Sequence, residues 1–357
     1  MRAGAVLPTL KSYVYTRVLP KFLPAPKTVI HDTISGIPVA AICDWMTWIN
    51  LCHFHSTVAL TPSGWVSEIF ARPKFLFCEA AWCGIARSCW RGQIYKDRRV
   101  LYENRKHLLE ILRYCKSNAI PTVFWAKEDP AYFRHEIYDF TDTALMFDHI
   151  LTTAKEAVQE YISLGHRSVH LWPFGFSPHI YYPPGLEDSA RENVAVFAGS
   201  WFREHKKRCH DLEMLFEMLL DAGIPLRIYD RNKRWGVSFK PFPEKYQRYV
   251  LDRVEYEELG KIYRSSSFAI NVNTVGDSET MFSRRVYEAA ACGAIVVSND
   301  SKGLKSQFGE NIWFLGERFD TEHIGEIRER NIRFVFENHT WQKRFEKLCE
   351  ILGEECI

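Results

Sequence analysis

The sequence predicts an α/β protein built from two doubly wound parallel sheets. The chain has 357 residues, which is too long for one hydrophobic core, so we expect two domains of roughly 150–180 residues each. In both halves, short apolar runs alternate with segments of helical spacing, as in parallel strands joined by helices. The proline-rich stretch at 174–192 has no such periodicity and indicates a linker between the halves.

In the first half, five apolar runs predict buried strands, at 37–43, 74–78, 121–125, 148–151 and 168–172. Helical spacing predicts helices at 99–117 and 154–164. Acidic residues follow three of the strands, either directly or after two intervening residues: Asp44, Glu79, Glu128 and Asp129. Ligands of such sheets bind beyond the carboxyl ends of the strands, so we predict that these acids share one rim of the sheet. The alternative for any one of them is a helix N-cap, since strand–Asp–helix is also a capping pattern.

The second half repeats the pattern, with strands predicted at 194–198, 225–229, 268–272, 294–297 and 311–315. Gly199 and Ser200 form a tight turn after the first of these strands. A helix running to about residue 222 follows, and its start is rich in basic side chains: Arg203, Lys206, Lys207 and Arg208. A glycine turn followed by cations fits a diphosphate site. The alternative interpretation of the cations is a solvated helix face.

The segment 278–300 carries the most informative pattern. Ser283 is a suitable N-cap for a predicted helix at 284–292, and Gly293 is a stop signal. Arg285 and Glu288 are three residues apart and therefore share one helix face. A guanidinium and a helix start suit phosphates, and a carboxylate accepts hydrogen bonds from sugar hydroxyls. The alternative is an ordinary surface ion pair. Two further helices are predicted at 320–337 and 340–352.

Composition excludes several classes of protein. The formal net charge is only +2, which argues against a nucleic-acid partner despite the basic residues at 87–106. The ten cysteines lack metal-site spacing and indicate free thiols in a reducing compartment. No apolar run approaches the ~18–20 residues of a membrane span. We therefore expect a cytoplasmic protein, with the basic segment 1–30 either touching the inner face of an anionic membrane or packing on the first domain.

Four segments of the first half, CEAAW, IPTVFWAKEDP, FDHILTT and LWPFGFSP, resemble the CgeB-like, spore-maturation group of GT-B glycosyltransferases. The Arg285-x-x-Glu288 pair followed by Ala-Cys-Gly resembles the donor-binding helix of the same group. The resemblance implies two Rossmann-like domains facing a cleft, with the final helix returning to the first domain. It also implies that Glu288 binds ribose, that Arg285 binds diphosphate, and that Asp230 and Asn273 lie near the nucleotide base. Related retaining enzymes often carry a second glutamate where this chain has Thr280, which leaves the stereochemistry open.

We therefore predict a glycosyltransferase of glycan or glycoconjugate biosynthesis that uses a nucleotide-diphosphate sugar and no metal or other cofactor. The acceptor would be a glycan, a lipid-linked glycan or a small molecule. The predicted segments are a basic extension (1–30), an acceptor-side domain (31–183), a donor domain (184–338) and a returning helix (339–357). The predicted catalytic residues are Glu128, Asp44, Glu79 and Asp129. The predicted donor-binding residues are Gly199, Ser200, Arg203, Lys207, Arg208, Asp230, Asn273, Ser283, Arg285 and Glu288.

Two alternatives to sugar transfer stay open. One is transfer of glycerol- or ribitol-phosphate from a nucleotide donor, which would release a nucleoside monophosphate. The other is a non-catalytic protein that binds nucleotide sugars without turnover. Ligand binding with no product would indicate the second.

Overall fold

The structure is a computed structural model that describes residues 39–54, 56–69, 72–85, 89–185, 191–234, 237–238, 240–318 and 321–353. The basic N-terminal segment, with its predicted membrane or domain contact, lies outside the described residues. Contacts divide the chain into two compact units. The first runs to Pro173 and includes the last turn of the final helix from Glu350, and the second is Phe174–Cys349.

The first unit is built on a six-stranded parallel sheet with the order β2-β1-β3-β5-β7-β8. Its strands are β1 (Val39–Ile42), β2 (Thr57–Ala59), β3 (Leu76–Glu79), β5 (Thr122–Ala126), β7 (His149–Thr152) and β8 (Val169–Leu171). The two short strands β4 (Lys96–Asp97) and β6 (Tyr138–Asp139) form a separate antiparallel pair. The helices are α1 (Trp45–Phe54), α2 (Trp65–Glu68), α3 (Lys106–Ser117), α4 (Phe140–Ala144) and α5 (Lys155–Ser163). The parallel α/β prediction is confirmed for this half.

Helix α3 begins seven residues later than the predicted residue 99, because the preceding segment is held in an irregular path. Asn104 accepts from the Asp97 amide at 3.0 Å and donates to the carbonyls of Gly92 and Tyr95 at 2.8 and 2.6 Å. Arg105, which is almost completely buried, bonds Glu103 and Asp142. The bonds of the Asn104 side chain to the backbone compete with helix formation.

The second unit is also a six-stranded parallel sheet, with the order β13-β10-β9-β14-β15-β16. Its strands are β9 (Glu192–Gly199), β10 (Leu226–Asp230), β13 (Val250–Leu251), β14 (Ser266–Asn271), β15 (Ile295–Ser298) and β16 (Trp313–Phe314). A small antiparallel pair joins β11 (Lys233–Arg234) to β12 (Val237–Ser238). The helices are α6 (Lys206–Asp221), α7 (Leu259–Ser265), α8 (Arg285–Ala291), α9 (Lys302–Phe308), α10 (Ile324–Asn338) and α11 (Trp341–Leu352). Three 3₁₀ turns lie at Glu244–Tyr249, Tyr256–Glu258 and Gly309–Asn311.

Strand β9 is an inner strand of this sheet and contributes to the hydrophobic core of the unit. Phe197 on β9 is fully buried and packs with Phe216 of α6, Phe242 and their apolar neighbours. Carboxyl ends of parallel strands meet at one edge, so the segments after β9, β10 and β14 are brought together there. One feature of the sequence prediction for this unit needs correction. Helix α8 begins at Arg285 with Arg284 as its N-cap residue, so the prediction of Ser283 as N-cap is wrong by one position.

The final helix is tied to the start of the second unit. Phe176 pairs with Thr340 in a parallel bridge, and Arg344 donates to the Phe174 carbonyl at 2.9 Å. Eight of the described cysteines are free thiols. Cys349 is disulfide-bonded, so the expectation of ten free thiols is wrong at that residue. In the described part of the chain, no helix combines the length and hydropathy needed to cross a membrane.

Candidate active site

Three arginines converge on the turn that follows β9. Arg208 on α6 donates to the Ser200 carbonyl at 3.1 Å, and Arg285 on α8 donates to the Ala198 carbonyl at 2.6 Å. Arg231, just after β10, reaches the Ser200 hydroxyl at 3.3 Å. Within the described residues, neither Arg208 nor Arg285 forms an ion pair with a carboxylate. The turn is therefore surrounded by three guanidinium groups, and two of them, Arg208 and Arg285, have no carboxylate partner among the described residues.

The pKa of Arg208 reflects both its burial and the positive charges of its neighbours. Burial lowers the pKa of Arg208 to about 10, and the charges of Arg285 and Arg231 act in the same direction. Three cations also face the ring of Phe202, namely Arg208 at 5.2 Å, Arg231 at 5.7 Å and Lys240 at 4.6 Å from the ring centroid. Cations held this close to one another favour an anionic ligand, because an anion relieves their mutual repulsion.

Gly199 allows Arg285 to approach the turn. A Cβ atom at this position would lie 2.6 Å from Cζ of Phe197 and 3.3 Å from the terminal nitrogen of Arg285. Phe197 is fully buried in the core and has no room to move aside. Glycine is therefore required here by close packing.

Glu288 lies one turn further along α8 and is only 2% exposed. Its Oε1 accepts from the Tyr256 hydroxyl at 3.0 Å and from Nε of Arg284 at 2.8 Å. The Arg284 guanidinium also lies over the Tyr256 ring, 5.3 Å from its centroid. Burial on its own lowers the pKa of Arg284, but Glu288, Tyr256 and Tyr181 together outweigh burial and raise it. Glu288 is thus held as a buried carboxylate by two fixed donors.

The other predicted donor-binding residues take different positions. Asp230 is fully buried and accepts hydrogen bonds from the Asn232 amide and the Ser238 hydroxyl. It therefore stabilises the segment that follows β10. Asn273 accepts from the Ser283 amide at 3.2 Å, which joins the segment after β14 to the start of α8. Arg203 is exposed, and Lys207 is 84% exposed and pairs with Asp211 at 2.7 Å. Arg203 and Lys207 therefore form no part of the inner arginine cluster.

In the first unit, two of the predicted acids, Asp44 and Glu79, lie close together and both form ion pairs with Lys127. Nζ of Lys127 lies 3.0 Å from Asp44 and 2.9 Å from Glu79. The Asp44 carboxylate also accepts from the amides of Trp82, Cys83 and Gly84, rather than capping α1. Burial alone would raise the pKa of Asp44, but Lys127 and these amides hold it below its ordinary value. Burial raises the pKa of Glu79, which is completely enclosed, although Lys127 opposes this.

Glu128 and Asp129 follow Lys127 and differ in accessibility. Asp129 is 1% exposed and accepts from the Thr152 hydroxyl at 2.8 Å, and burial raises its pKa to about 7. Glu128 is partly buried, and burial raises its pKa despite the nearby Lys127 and a hydrogen bond with Trp82. Of the four predicted acids, Glu128 is the one whose side chain is partly exposed to solvent and forms no ion pair with another described residue.

The structure adds four residues that the sequence prediction did not single out: Lys127, Arg231, Tyr256 and Arg284. Lys127 and Arg284 stand beside predicted site residues, so adjacency was the available signal. Arg231 likewise follows the predicted Asp230, whereas Tyr256 is brought in by the fold from a distant segment. In the described part of the chain, no group of three or more His, Cys, Asp or Glu side chains is arranged to hold a metal ion.

Comparisons with known proteins agree with this geometry. A family model described as glycosyl transferase-like matches residues 212–350, which include α8 and its arginine–glutamate pair. Spore protein CgeB of Bacillus subtilis (strain 168) is 23% identical over 200 residues, covering 53% of this chain. That match spans 59% of the relative's own length.

Solved structures share the fold over most of the chain. An alpha-glucosyltransferase in complex with UDP and a 13-mer DNA containing an HMU base has a TM-score of 0.60 at 11% identity, covering 89% of this chain and 99% of that one. Anabaena HepE in complex with UDP and glucose has a TM-score of 0.55 at 10% identity, covering 89% and 100%. The two parallel-sheet units thus have the GT-B fold, and residues 212–350 of the second unit match the glycosyl transferase-like family model.

Proposed function

We propose that this protein transfers a sugar from a nucleotide-diphosphate sugar to an acceptor hydroxyl. The observation that carries the proposal is the arginine cluster around the turn after β9, formed by Arg208, Arg231 and Arg285. A diphosphate is the anion that such a cluster suits, because several guanidinium groups can donate to its oxygens together. HepE, which has the same fold, was solved with UDP and glucose, and this supports a nucleotide donor.

Sugar transfer requires stabilisation of the charge that develops on the leaving diphosphate. Fixed cations can supply that stabilisation, since they are already oriented and need little rearrangement during the reaction. We assign this role to Arg285 and Arg208, with Arg231 assisting. The proposal is therefore metal-independent transfer. Helix α8 has only seven residues, so the guanidinium groups matter more here than the helix dipole.

The donor also has to be oriented. Glu288 is a buried carboxylate next to Arg284 and Arg285 on α8, and we assign it to the ribose hydroxyls. The Gly199–Ser200 turn brings backbone close to the phosphates because it carries no Cβ at its tightest point.

We assign the acceptor to the first unit and propose that the reaction retains configuration. Lys127 holds Asp44 and Glu79 in an ion network, so neither is suited to take a proton from an acceptor. In a retaining reaction, the leaving phosphate can take that proton. Glu128 would then bind and orient the acceptor hydroxyl, with no need to act as a strong base.

The test is a thermal-shift panel of UDP, GDP, CDP, dTDP and ADP on the wild type and on Glu288→Ala. A ligand at 100 times its dissociation constant stabilises the folded state by about 2.7 kcal/mol, which gives a clear melting shift. We expect one nucleotide to stabilise the wild type and Glu288→Ala to lose most of that shift. Glu326→Ala on α10, where Glu326 is 67% exposed, is the matched control.

Two outcomes would count against the proposal. If none of the five nucleotides raises the melting temperature, the proposed donor site is wrong. An equal shift in wild type and Glu288→Ala would show that the nucleotide binds elsewhere. Once a nucleotide is known, hydrolysis of its sugar conjugates can be followed by proton NMR, and the anomer first released reports whether configuration is retained.

A further inference from the structure

The two oxygens of the Glu288 carboxylate are not equivalent. Oε1 accepts both available hydrogen bonds, from the Tyr256 hydroxyl and from Nε of Arg284. Among the described residues, none donates to Oε2. Oε2 is also not one of the described side-chain atoms that are both sealed from solvent and unbonded. A carboxylate that is 98% enclosed therefore keeps one oxygen open, since Glu288 is only 2% exposed.

The two donors to Oε1 are themselves held in place. Tyr256 is 6% exposed, and the hydroxyl of the fully buried Tyr181 donates to its backbone carbonyl at 3.3 Å. The Arg284 guanidinium lies over the Tyr256 ring, which joins the two donors to each other. Because both donors converge on the same oxygen, the carboxylate cannot rotate freely and Oε2 keeps a fixed direction.

An unpaired oxygen on a buried carboxylate strongly favours a ligand that donates a hydrogen bond to it. A ligand that donates hydrogen bonds to it gains a charge-assisted interaction, whereas a ligand that lacks the donor leaves the oxygen desolvated and unpaired. Sites built to bond a hydroxyl reject analogues without that hydroxyl much more strongly than apolar pockets reject a missing methylene. The 2′- and 3′-hydroxyls of a ribose present two such donors side by side, and a 2′-deoxyribose presents one.

We propose that Tyr256 and Arg284 are positioning residues that reserve Oε2 of Glu288 for a ribose diol, so that the site selects ribonucleoside over deoxyribonucleoside donors. This inference rests on the proposed function and narrows its substrate class. The donor is a sugar conjugate of a ribonucleoside diphosphate, and thymidine-diphosphate sugars are excluded by the missing 2′-hydroxyl.

The test compares ribo and deoxy forms of the same nucleotide by isothermal titration calorimetry. The probes are UDP with dUDP, ADP with dADP, GDP with dGDP and CDP with dCDP. For the base that binds, we expect the ribo form to bind at least about tenfold more tightly than the deoxy form in the wild type. In Tyr256→Phe and in Arg284→Gln, that ratio should fall to about threefold or less, chiefly through weaker binding of the ribo form.

The control is Tyr249→Phe, which removes another tyrosine hydroxyl that is bonded to an arginine, Arg248, at 2.6 Å. It should leave the ratio unchanged. Ligand-free melting temperatures identify a variant that has lost its fold, and each variant removes a different one of the two hydrogen bonds to Oε1 of Glu288. A general loss of structure would weaken both nucleotide forms equally and leave the ratio as it was.

The outcomes separate the two proposals. If none of the ribonucleotides binds, both the proposed function and this inference are overturned. If a ribonucleotide binds but its deoxy form binds equally well, the donor site stands and the selection of ribose is wrong. If the wild type discriminates and both folded variants keep the full ratio, Tyr256 and Arg284 do not position Glu288.

Discussion

Replacing Lys127 with methionine tests how the acids of the first unit are held. The Lys127 side chain is 11% exposed and its Nζ lies within 3.0 Å of both Asp44 and Glu79, of which Glu79 is completely enclosed. Methionine keeps the length of the side chain but removes the charge. Removal of one partner from a buried ion pair typically destabilises a protein by about 3–5 kcal/mol, because the remaining charge is left uncompensated.

The pH dependence of this loss has a definite sign. Burial raises the pKa of Glu79 while Lys127 lowers it, so removal of Lys127 raises the pKa further. A carboxyl whose pKa is raised in the folded state favours folding most at low pH, and that contribution is lost as the pH rises toward the folded-state pKa. The deficit of Lys127→Met should therefore grow with pH, by up to about 1.4 kcal/mol per pH unit for one proton.

Urea unfolding followed by tryptophan fluorescence at pH 5.5 and pH 7.5 measures the effect. We expect the free energy of unfolding to fall by about 3–5 kcal/mol at pH 7.5 and by clearly less at pH 5.5. Lys106→Met is the control, since Lys106 is 64% exposed and 3.8 Å from Glu110, and an exposed pair contributes about 0–1 kcal/mol. Equal deficits at the two pH values, or a deficit no larger than that of the control, would refute the ion network.

Three further predictions concern single residues. Gly199→Ala should weaken nucleotide binding because its Cβ would lie 2.6 Å from the enclosed Phe197 ring, and a thermal-shift titration that matches wild type would contradict this. Burial raises the pKa of Asp129 to about 7, so wild-type stability is lost as the pH rises from about 4 to 7. In urea unfolding, Asp129→Asn should make the free energy of unfolding depend less on pH over this range. A pH dependence as steep as that of the wild type would rule out Asp129 as its source. Glu128→Gln should leave slow donor hydrolysis within about threefold of wild type, whereas a loss of about a hundredfold would identify a general base and an inverting reaction.

The sheets were predictable because each strand is a short apolar run, and such runs depend little on the rest of the chain. Ten strands of the two sheets lie within a few residues of their predicted positions, for example β5 at Thr122–Ala126 against a prediction of 121–125. The edge strands β2 and β13 were missed because their residues, Thr57–Ala59 and Val250–Leu251, are too few to form a pattern. Helix α3 was predicted too long because the sequence does not show that Asn104 bonds three distant backbone groups.

The candidate site was only partly predictable. The pairing of Arg285 with the β9 turn follows from strand order, since β9 and β14 are neighbours in the sheet. Of the two partners of Glu288, Tyr256 was not predictable, because it lies 32 residues away on a 3₁₀ turn. Acids at strand ends were correctly placed near one another, but their pattern alone did not reveal that Lys127 neutralises two of them.

Calorimetric titration with a ribonucleoside diphosphate and with its monophosphate tests the donor site most directly, in wild type and in Arg285→Met. Each charge-assisted hydrogen bond contributes about 1.5–3 kcal/mol, so we predict that the wild type prefers the diphosphate by about tenfold or more. In Arg285→Met that preference should largely disappear, while Arg330→Met, at a 54% exposed position on α10, should keep it. A diphosphate preference that survives in Arg285→Met would contradict the assignment of the arginine cluster to the leaving group.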